Sequence, residues 1–439
     1  MKIFHPNPRR EAKPSSLLIL AWLLALVDGF DNVVLGAVGP SLLGSTEWDV
    51  DKTTLGMIGS ISALGMPVGA LAAGWVADRY GRRLPLVVSV VWISLAMVAA
   101  GVAPTLESFI VARTLTCVAV GALLPLLVAI AADNAHPMRR SLTIGVVMTG
   151  LAAGGLMSSL LGAILLSSMH FQVLFVIGGV ASFTLLPFVW RMVPNSVFAD
   201  VEAPRPSERR AGDSSGGLRA LLRPPLSRTA MILWITALCG YIVVTGATTW
   251  LPSLMFSAGF DINSALQFAV AFNVGAIIGA LAVTFAADLS NRLVATTAAC
   301  FTLSAAAMLA ISTQPTRVLI LTLCGLAGFG TLGTTTLVNT LATRLFPLHL
   351  RGIALGSTNA AARIGAIVAP AYIGLVIGAL AFGAESGFYA IAAPAVVAVA
   401  CLPFIRPGSA RALAEDQRPS SDLPATPPPT IVDVPSNTA

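Results

Sequence analysis

Residues 54–77 read TLGMIGSISALGMPVGALAAGWVA, residues 78–83 read DRYGRR, and residues 84–103 read LPLVVSVVWISLAMVAAGVA. A helix that crosses a bilayer needs about 20 predominantly apolar residues, because roughly 30 Å of hydrocarbon is spanned at 1.5 Å per residue. Both apolar runs meet this requirement, and the segment between them is short and rich in arginine. The stretch therefore predicts two membrane-spanning helices joined by a tight polar loop.

The same pattern recurs along the whole chain. Of the 439 residues, 56% are hydrophobic and 10% are charged, with a mean hydropathy of +0.84, whereas a soluble domain carries about a quarter charged residues. The runs lack the alternation of barrel strands, so helices are the expected form. We predict an all-α polytopic membrane protein with twelve spans, numbered 1 to 12, at residues 16–42, 54–77, 84–103, 106–131, 141–167, 171–192, 229–256, 264–287, 293–313, 316–342, 353–379 and 383–405.

The distribution of the 26 Lys and Arg predicts the orientation. If the amino terminus is cytoplasmic, 22 of them fall on the cytoplasmic side, two (Lys52 and Arg317) on the outer side, and two (Arg113 and Arg363) inside spans. This asymmetry follows the positive-inside rule, with both termini in the cytoplasm. The net charge of +6 is then explained by topology, and no nucleic-acid partner is expected.

Composition divides the chain into two six-helix halves. We predict halves at residues 1–193 and 229–405, a polar cytoplasmic linker at 194–228, and a Pro-rich disordered tail at 406–439. Similar features recur about 204 to 211 residues apart. The recurring features are Arg113 with Gly121 and Arg317 with Gly325, Asp78 and Asp288, and Pro137 and Pro347. Repeats of this kind predict a binding cavity between the halves.

The loop after span 2 carries candidate gating residues. It reads Gly74-Trp-Val-Ala-Asp78-Arg79-Tyr-Gly81-Arg82-Arg83, and Asp133 at the inner end of span 4 is a candidate partner for its arginines. Asp78 can accept hydrogen bonds from a helix amino terminus while the arginines lie at lipid phosphates. The alternative is a plain positive-inside loop. The segment resembles the signature Gly-x-x-x-Asp-Arg-x-Gly-Arg-Arg of the major facilitator superfamily, which implies that fold and a cytoplasmic gate.

Span 1 contains Asp28-Gly-Phe-Asp31-Asn32 near mid-bilayer, with the two acids three residues apart on one helical face. Charged groups are expensive in lipid, so these acids are expected to face a wet cavity or a partner. Two neighbouring carboxylates repel each other, and this favours reversible protonation of one of them. The alternative is a structural salt bridge to an interior arginine.

This motif resembles that of the aromatic acid:proton symporters within the superfamily, which carry Asp-Gly-Phe/Tyr-Asp in span 1. The resemblance extends over nearly the whole chain and implies that Asp28 and Asp31 are required for transport. The chain departs from the family pattern at Asp133, at Leu126 and at residues 193–196, where the family usually has Glu, Asn and Leu-Pro-Glu-Ser.

Candidate substrate-binding residues are Arg363, Arg113, Asn32, Trp250 and Asn273. Arg363 lies near the midplane in span 11, where a guanidinium can bind a carboxylate through two points. It could instead pair with Asp28 or Asp31. Arg113 could pair with Glu107 or with span 1.

We therefore expect a secondary active transporter that takes up an aromatic or related organic acid with protons across the bacterial cytoplasmic membrane. The alternative is a proton-driven drug or metabolite efflux antiporter, which the absence of proline from residues 150–156 in span 5 disfavours. No metal cluster, nucleophile elbow or nucleotide loop occurs in the sequence, so an enzyme or a cofactor is not expected. A monomer is expected.

Overall fold

The computed structural model describes residues 14–45, 48–136, 140–193, 219–224, 226–289, 292–347, 350–379 and 385–405. These residues form helices and contain no β-strand. The helices are α1 (Pro14–Leu43), α2 (Lys52–Ala63), α3 (Gly65–Tyr80), α4 (Arg83–Gly101), α5 (Leu106–Asp133), α6 (Arg140–Leu165), α7 (Val173–Met192), α8 (Leu226–Ser257), α9 (Ile262–Leu289), α10 (Leu293–Ser312), α11 (Arg317–Arg344), α12 (Arg351–Ala379) and α13 (Glu385–Cys401). A 3₁₀ turn, Leu402–Phe404, follows α13.

Twelve spans long and apolar enough to cross a membrane occur in the described part of the chain, so the predicted all-α polytopic fold is confirmed. Span 2 consists of two helices, α2 and α3, with Leu64 between them. The outward faces of the bundle are apolar, with Leu71 at 78% exposure and Val318 at 75%. Exposing such apolar side chains to water costs free energy, whereas contact with lipid tails does not.

The carboxyl-terminal boundary of the linker between the halves lies a few residues earlier than predicted. Helix α8 begins at Leu226, inside the predicted linker, and Leu221 is fully buried. Residues 194–218, the predicted tail at 406–439, and the amino-terminal residues 1–13 lie outside the described residues. Their predicted organisation stays a prediction.

Close helix packing repeats in the two halves. In the first half, α3 packs on α5, and a Cβ built on Gly121 would lie 2.0 Å from the carbonyl oxygen of Met66. In the second half, α9 packs on α11, and a Cβ on Gly275 would lie 1.9 Å from the carbonyl oxygen of Gly325. Small residues let membrane helices approach this closely. Equivalent helix pairs therefore contact each other through glycine in both halves.

The two halves contact each other mainly near one end of the bundle, which carries residues 44–45, 48–51, 258–261 and 313–316 and is termed the closed end. The contacting pairs are α1 with α8, α2 with α12, and α6 with α9. Within span 2, α12 packs on α2 rather than on α3, whose residues lead to the arginine-rich loop 78–83. The opposite end, termed the arginine-rich end, is thus less closely joined.

Two aspartates cap helices at the closed end. Asp51 accepts from the backbone amide of Thr54 at 2.7 Å at the start of α2, and Asp261 accepts from that of Ser264 at 3.2 Å at the start of α9. Hydrogen bonds from Thr54 and Ser264 hold the pKa of Asp51 and Asp261 below the ordinary value. The caps fix the first turns of α2 and α9, two of the helices that contact the other half.

Candidate functional site

A cavity of about 200 Å³ lies between the halves near the middle of the spans. Its walls come from α1, α2, α3, α5 and α6 of the first half and from α8, α9, α11 and α12 of the second. Among the described residues, four charged side chains line it: Asp28, Asp31, Arg113 and Arg363. The two acids predicted from span 1 and the two arginines predicted inside spans therefore meet at one cavity.

Asp31 and Arg113 form a buried ion pair. The Arg113 guanidinium donates from Nη1 to Asp31 Oδ1, and the two side chains are 3% and 1% exposed. The Arg113 guanidinium carbon also lies 5.4 Å from the ring centre of Phe175. Asp31 Oδ2 and Arg113 Nε have no hydrogen-bond partner in the described structure. Of the alternatives open for Arg113, the structure places it against span 1 rather than against Glu107.

Asp28 has a different environment. Its side chain is 2% exposed, and Asn32 Nδ2 donates at 2.9 Å both to Asp28 Oδ1 and to the Asp28 carbonyl oxygen. No arginine nitrogen among the described residues lies within 4.0 Å of its carboxylate. Asn32, one turn further along α1, is exposed on the cavity wall. Asp28 is thus held by an amide while Asp31 is held by a cation.

Arg363 projects into the cavity from α12 on the opposite side. Its Nη1 lies 3.6 Å from the sulfur of Met66 in α3, a contact across the two halves. Within the described ranges, neither Asp28 nor Asp31 comes within 4.0 Å of its guanidinium. The cavity therefore contains one arginine that is close to acids but not paired with either.

The remaining predicted binding residues divide into two groups. Asn273 lines the cavity, and its Nδ2 donates to the carbonyl oxygen of Ala269 at 2.9 Å and to Ser159 Oγ at 3.4 Å. Phe272 also lines it. Trp250 is 1% exposed, donates from Nε1 to the Pro370 carbonyl oxygen at 3.1 Å, and is not one of the residues that line the cavity. The structure brings Asn273 to the site and does not bring Trp250 there.

The arginine-rich loop is attached to its own half. Arg82 forms an ion pair with Asp133 at the end of α5, and Arg83 donates to the carbonyl oxygen of Trp190 and stacks 4.7 Å over its ring. Gly81 has φ of 77°, a conformation that glycine adopts readily and other residues rarely do.

The other members of the predicted gate contribute less to this attachment. Arg79 lies 5.9 Å from the ring centres of Trp75 and Tyr80, and a Cβ on Gly74 would meet nothing within 4 Å. The side chain of Asp78 lies outside the described part of the structure.

Several cavity residues were not predicted from the sequence. They include Ser62 and Met66 of span 2 and Tyr241, Thr245 and Thr248 of span 7. A polar residue every third or fourth position in an apolar span is a weak signal, because serine and threonine also bond to their own helix. No metal-binding group of three or more His, Cys, Asp or Glu side chains occurs in the described ranges.

Comparison with known proteins identifies the class. Residues 21–370 match the model of the Major Facilitator Superfamily, and the chain belongs to that family. It is 30% identical over 394 residues to a gentisate transporter of Corynebacterium glutamicum, covering 88% of this chain and 86% of that protein. It is 30% identical over 404 residues to a 3-(3-hydroxy-phenyl)propionate transporter of Escherichia coli, covering 91% and 96%. A gallate transporter of Pseudomonas putida is 28% identical over 90% of this chain and 92% of that protein.

Solved structures agree on the fold. A D-xylose-proton symporter superposes with a TM-score of 0.74 at 16% identity, covering 91% of this chain and 99% of that one. An inward open conformation of the xylose transporter of E. coli gives 0.69 at 15% identity, with 89% and 96% covered. The chain is a membrane transporter of this superfamily, similar to the aromatic acid:proton symporters, and is not an enzyme.

Proposed function

We propose that the protein takes up an aromatic carboxylate together with a proton, with the carboxylate bound at Arg363. The observation that carries this proposal is the Arg363 guanidinium on the cavity wall, which has no carboxylate within 4.0 Å among the described residues. A permanently charged group at this depth is stabilised by a counter-ion, and a carboxylate fits its planar fork through two hydrogen bonds. The relatives named as gentisate, gallate and hydroxyphenylpropionate transporters support an aromatic acid as the substrate.

Charge balance supports proton coupling. The cavity holds two carboxylates and two guanidinium groups, so it is neutral when both acids are ionised. A bound monoanion adds one negative charge, and a proton on Asp28 restores neutrality. Asp28 is the better candidate for this proton because Asp31 is already neutralised by Arg113. Moving a monoanion alone into a negative cell costs about 2.3 kcal/mol per 100 mV, and one accompanying proton removes that cost.

The gate and the orientation complete the proposal. We assign the arginine-rich end to the cytoplasm of a bacterial inner membrane, following the positive-inside asymmetry. The closed end then faces outward, and the described conformation opens inward.

The loop 78–83 is held on the first half by Arg82 with Asp133 and by Arg83 with Trp190. In this position the loop contacts the second half when the inner end closes. The carrier works as a monomer.

Uptake into proteoliposomes tests the proposal. Radiolabelled 4-hydroxybenzoate is supplied outside, with the outer medium either more acidic than the lumen or at the same pH. We expect accumulation only with the inward proton gradient, and its loss when a protonophore collapses the gradient. Equal accumulation with and without the gradient would contradict proton-coupled uptake.

A further inference from the structure

Ser62 is the one serine of α2 that lines the cavity, and its hydroxyl group has no hydrogen-bond partner among the described residues. The side chain is 2% exposed. Four other serines buried in helices, Ser89, Ser94, Ser159 and Ser182, donate to the carbonyl oxygen four residues earlier at 2.7–3.0 Å. Ser158, Ser253 and Ser304 also have no partner among the described residues, but they do not line the cavity. Ser62 lacks this bond. A buried hydroxyl without a partner is costly, so one facing a ligand cavity is suited to bond the ligand.

The position of Ser62 relative to Arg363 limits which part of a ligand it can contact. Ser62 precedes Met66 by four residues, and Met66 reaches Arg363 with its sulfur. Leu64, between α2 and α3, keeps helical φ and ψ of −59° and −22°, so Ser62 and Met66 lie on one face about one turn apart, roughly 5.4 Å. A group bound at Ser62 therefore lies about one turn nearer the closed end than a carboxylate bound at Arg363. In a benzoate, a meta or para substituent lies at about this separation from the carboxylate, whereas an ortho substituent lies beside it.

Other polar atoms of the cavity also favour a hydroxyl substituent on the ligand. Asp31 Oδ2 and Arg113 Nε, on the same cavity, also have no partner among the described residues. A phenolic hydroxyl both donates and accepts, so it can satisfy such atoms, whereas a hydrogen atom or a methyl group cannot. A site built to bond a hydroxyl discriminates against an analogue that lacks it.

We propose that Ser62 is a substrate-binding residue that recognises a meta or para hydroxyl group on the ring, so that the carrier prefers hydroxylated aromatic monocarboxylates. This assignment rests on the proposed function, because the carboxylate at Arg363 sets the position of the ring. The assignment adds Ser62 to the proposed substrate site, together with a preference for a ring substituent that the charged groups of the cavity do not determine.

Binding of four ligands to the purified full-length protein, measured by isothermal titration calorimetry, tests this proposal. The ligands are 4-hydroxybenzoate, 3-hydroxybenzoate, benzoate and 4-methylbenzoate, the last matching the size of the para hydroxyl group without its hydrogen bonds. We expect at least one hydroxybenzoate to bind roughly three- to tenfold more tightly than benzoate and 4-methylbenzoate. In Ser62→Ala this preference should disappear through weaker binding of the hydroxybenzoate, with benzoate affinity unchanged.

Ser304→Ala is the matched control, because Ser304 in α10 is also buried and without a partner but does not line the cavity. It should keep the preference. Retained benzoate binding shows that Ser62→Ala is folded, and Ser62→Thr, which keeps a hydroxyl, should retain part of the preference. Absence of any preference in the unsubstituted protein, or a full preference in Ser62→Ala, would overturn the assignment while leaving carboxylate transport intact. If none of the four ligands binds, the proposed function and the assignment both fail.

Discussion

At the scale of single residues, the two acids of span 1 are not equivalent. Asp31 is buried with Arg113, and each side chain neutralises the other. Removing one partner of such a pair leaves an uncompensated buried charge, which is far more costly than removing both. Asp28 has no cation in contact among the described residues and is held by Asn32. We therefore propose that Asp31 is mainly structural and that Asp28 is the acid that changes its charge.

Asp31→Asn should destabilise the protein, by about 3–5 kcal/mol, because Arg113 is left buried without a counter-charge. The double variant Asp31→Leu/Arg113→Met should recover most of this loss, since it removes both charges. Thermal unfolding of the purified variants measures the effect. Equal stability of Asp31→Asn and the unsubstituted protein would show that the pair is not needed to neutralise Arg113.

Arg363→Lys tests the carboxylate contact. Lysine keeps the positive charge but loses the planar fork, so affinity for 4-hydroxybenzoate should fall about tenfold, equivalent to ~1.4 kcal/mol. Thermal stability should change little, because Arg363 has no carboxylate in contact among the described residues. Binding to equal amounts of the two proteins provides the comparison. An unchanged affinity would remove Arg363 from the substrate site.

At the scale of helices, the closed end depends on glycines of α2 that meet a proline of α12. A Cβ on Gly56 would lie 2.5 Å from the Pro370 carbonyl oxygen, and one on Gly59 would lie 2.7 Å from Pro370 Cβ. Ser60 Oγ accepts from the backbone amide of Ala371 at 2.9 Å across the same interface. The helices are thus close enough for backbone groups of one half to bond the other half directly.

Gly56→Ala should separate the halves at the closed end, because the added methyl meets backbone atoms that have no rotamer to change. Spin labels at Glu107 and Glu385, two exposed residues on opposite halves of this end, should show a longer mean distance by pulsed electron resonance. The native cysteines are replaced beforehand. Gly356→Ala is the control, since its Cβ would meet nothing within 4 Å. An unchanged distance in Gly56→Ala would show that this contact does not hold the end closed.

At the scale of the whole molecule, the sequence was sufficient for the twelve spans and much less so for the site. Spans are predictable because lipid requires about 20 apolar residues and internal hydrogen bonds, whatever the helices pack against. The depth of Asp28, Asp31 and Arg363 follows from their positions within spans. The partners of such side chains do not follow from the sequence, because they depend on how each helix is rotated. Arg113 pairs with Asp31. Arg317, its counterpart in the internal repeat, is exposed and donates to Gln267 at 2.6 Å.

A cavity residue of the same type as many other residues in the spans cannot be assigned to the site from the sequence. Ser62 is one of many small polar residues in apolar helices, and only its missing hydrogen bond and its place on the cavity distinguish it. Trp250 carried the stronger chemical signal, yet its indole bonds Pro370 within its own half. Residue type alone therefore does not separate packing from binding in these spans.

The central claim is that one proton enters with each carboxylate through Asp28, and the lumenal pH of proteoliposomes tests it most directly. With equal pH on both sides, addition of 4-hydroxybenzoate outside should acidify the lumen faster than in protein-free vesicles, as reported by a trapped pH indicator. In Asp28→Asn, whose amide preserves the shape but cannot carry the proton, acidification should fall to the protein-free rate. Exchange of labelled for unlabelled substrate should continue in that variant, which shows that the site still binds. Acidification at the unsubstituted rate in Asp28→Asn would contradict the account.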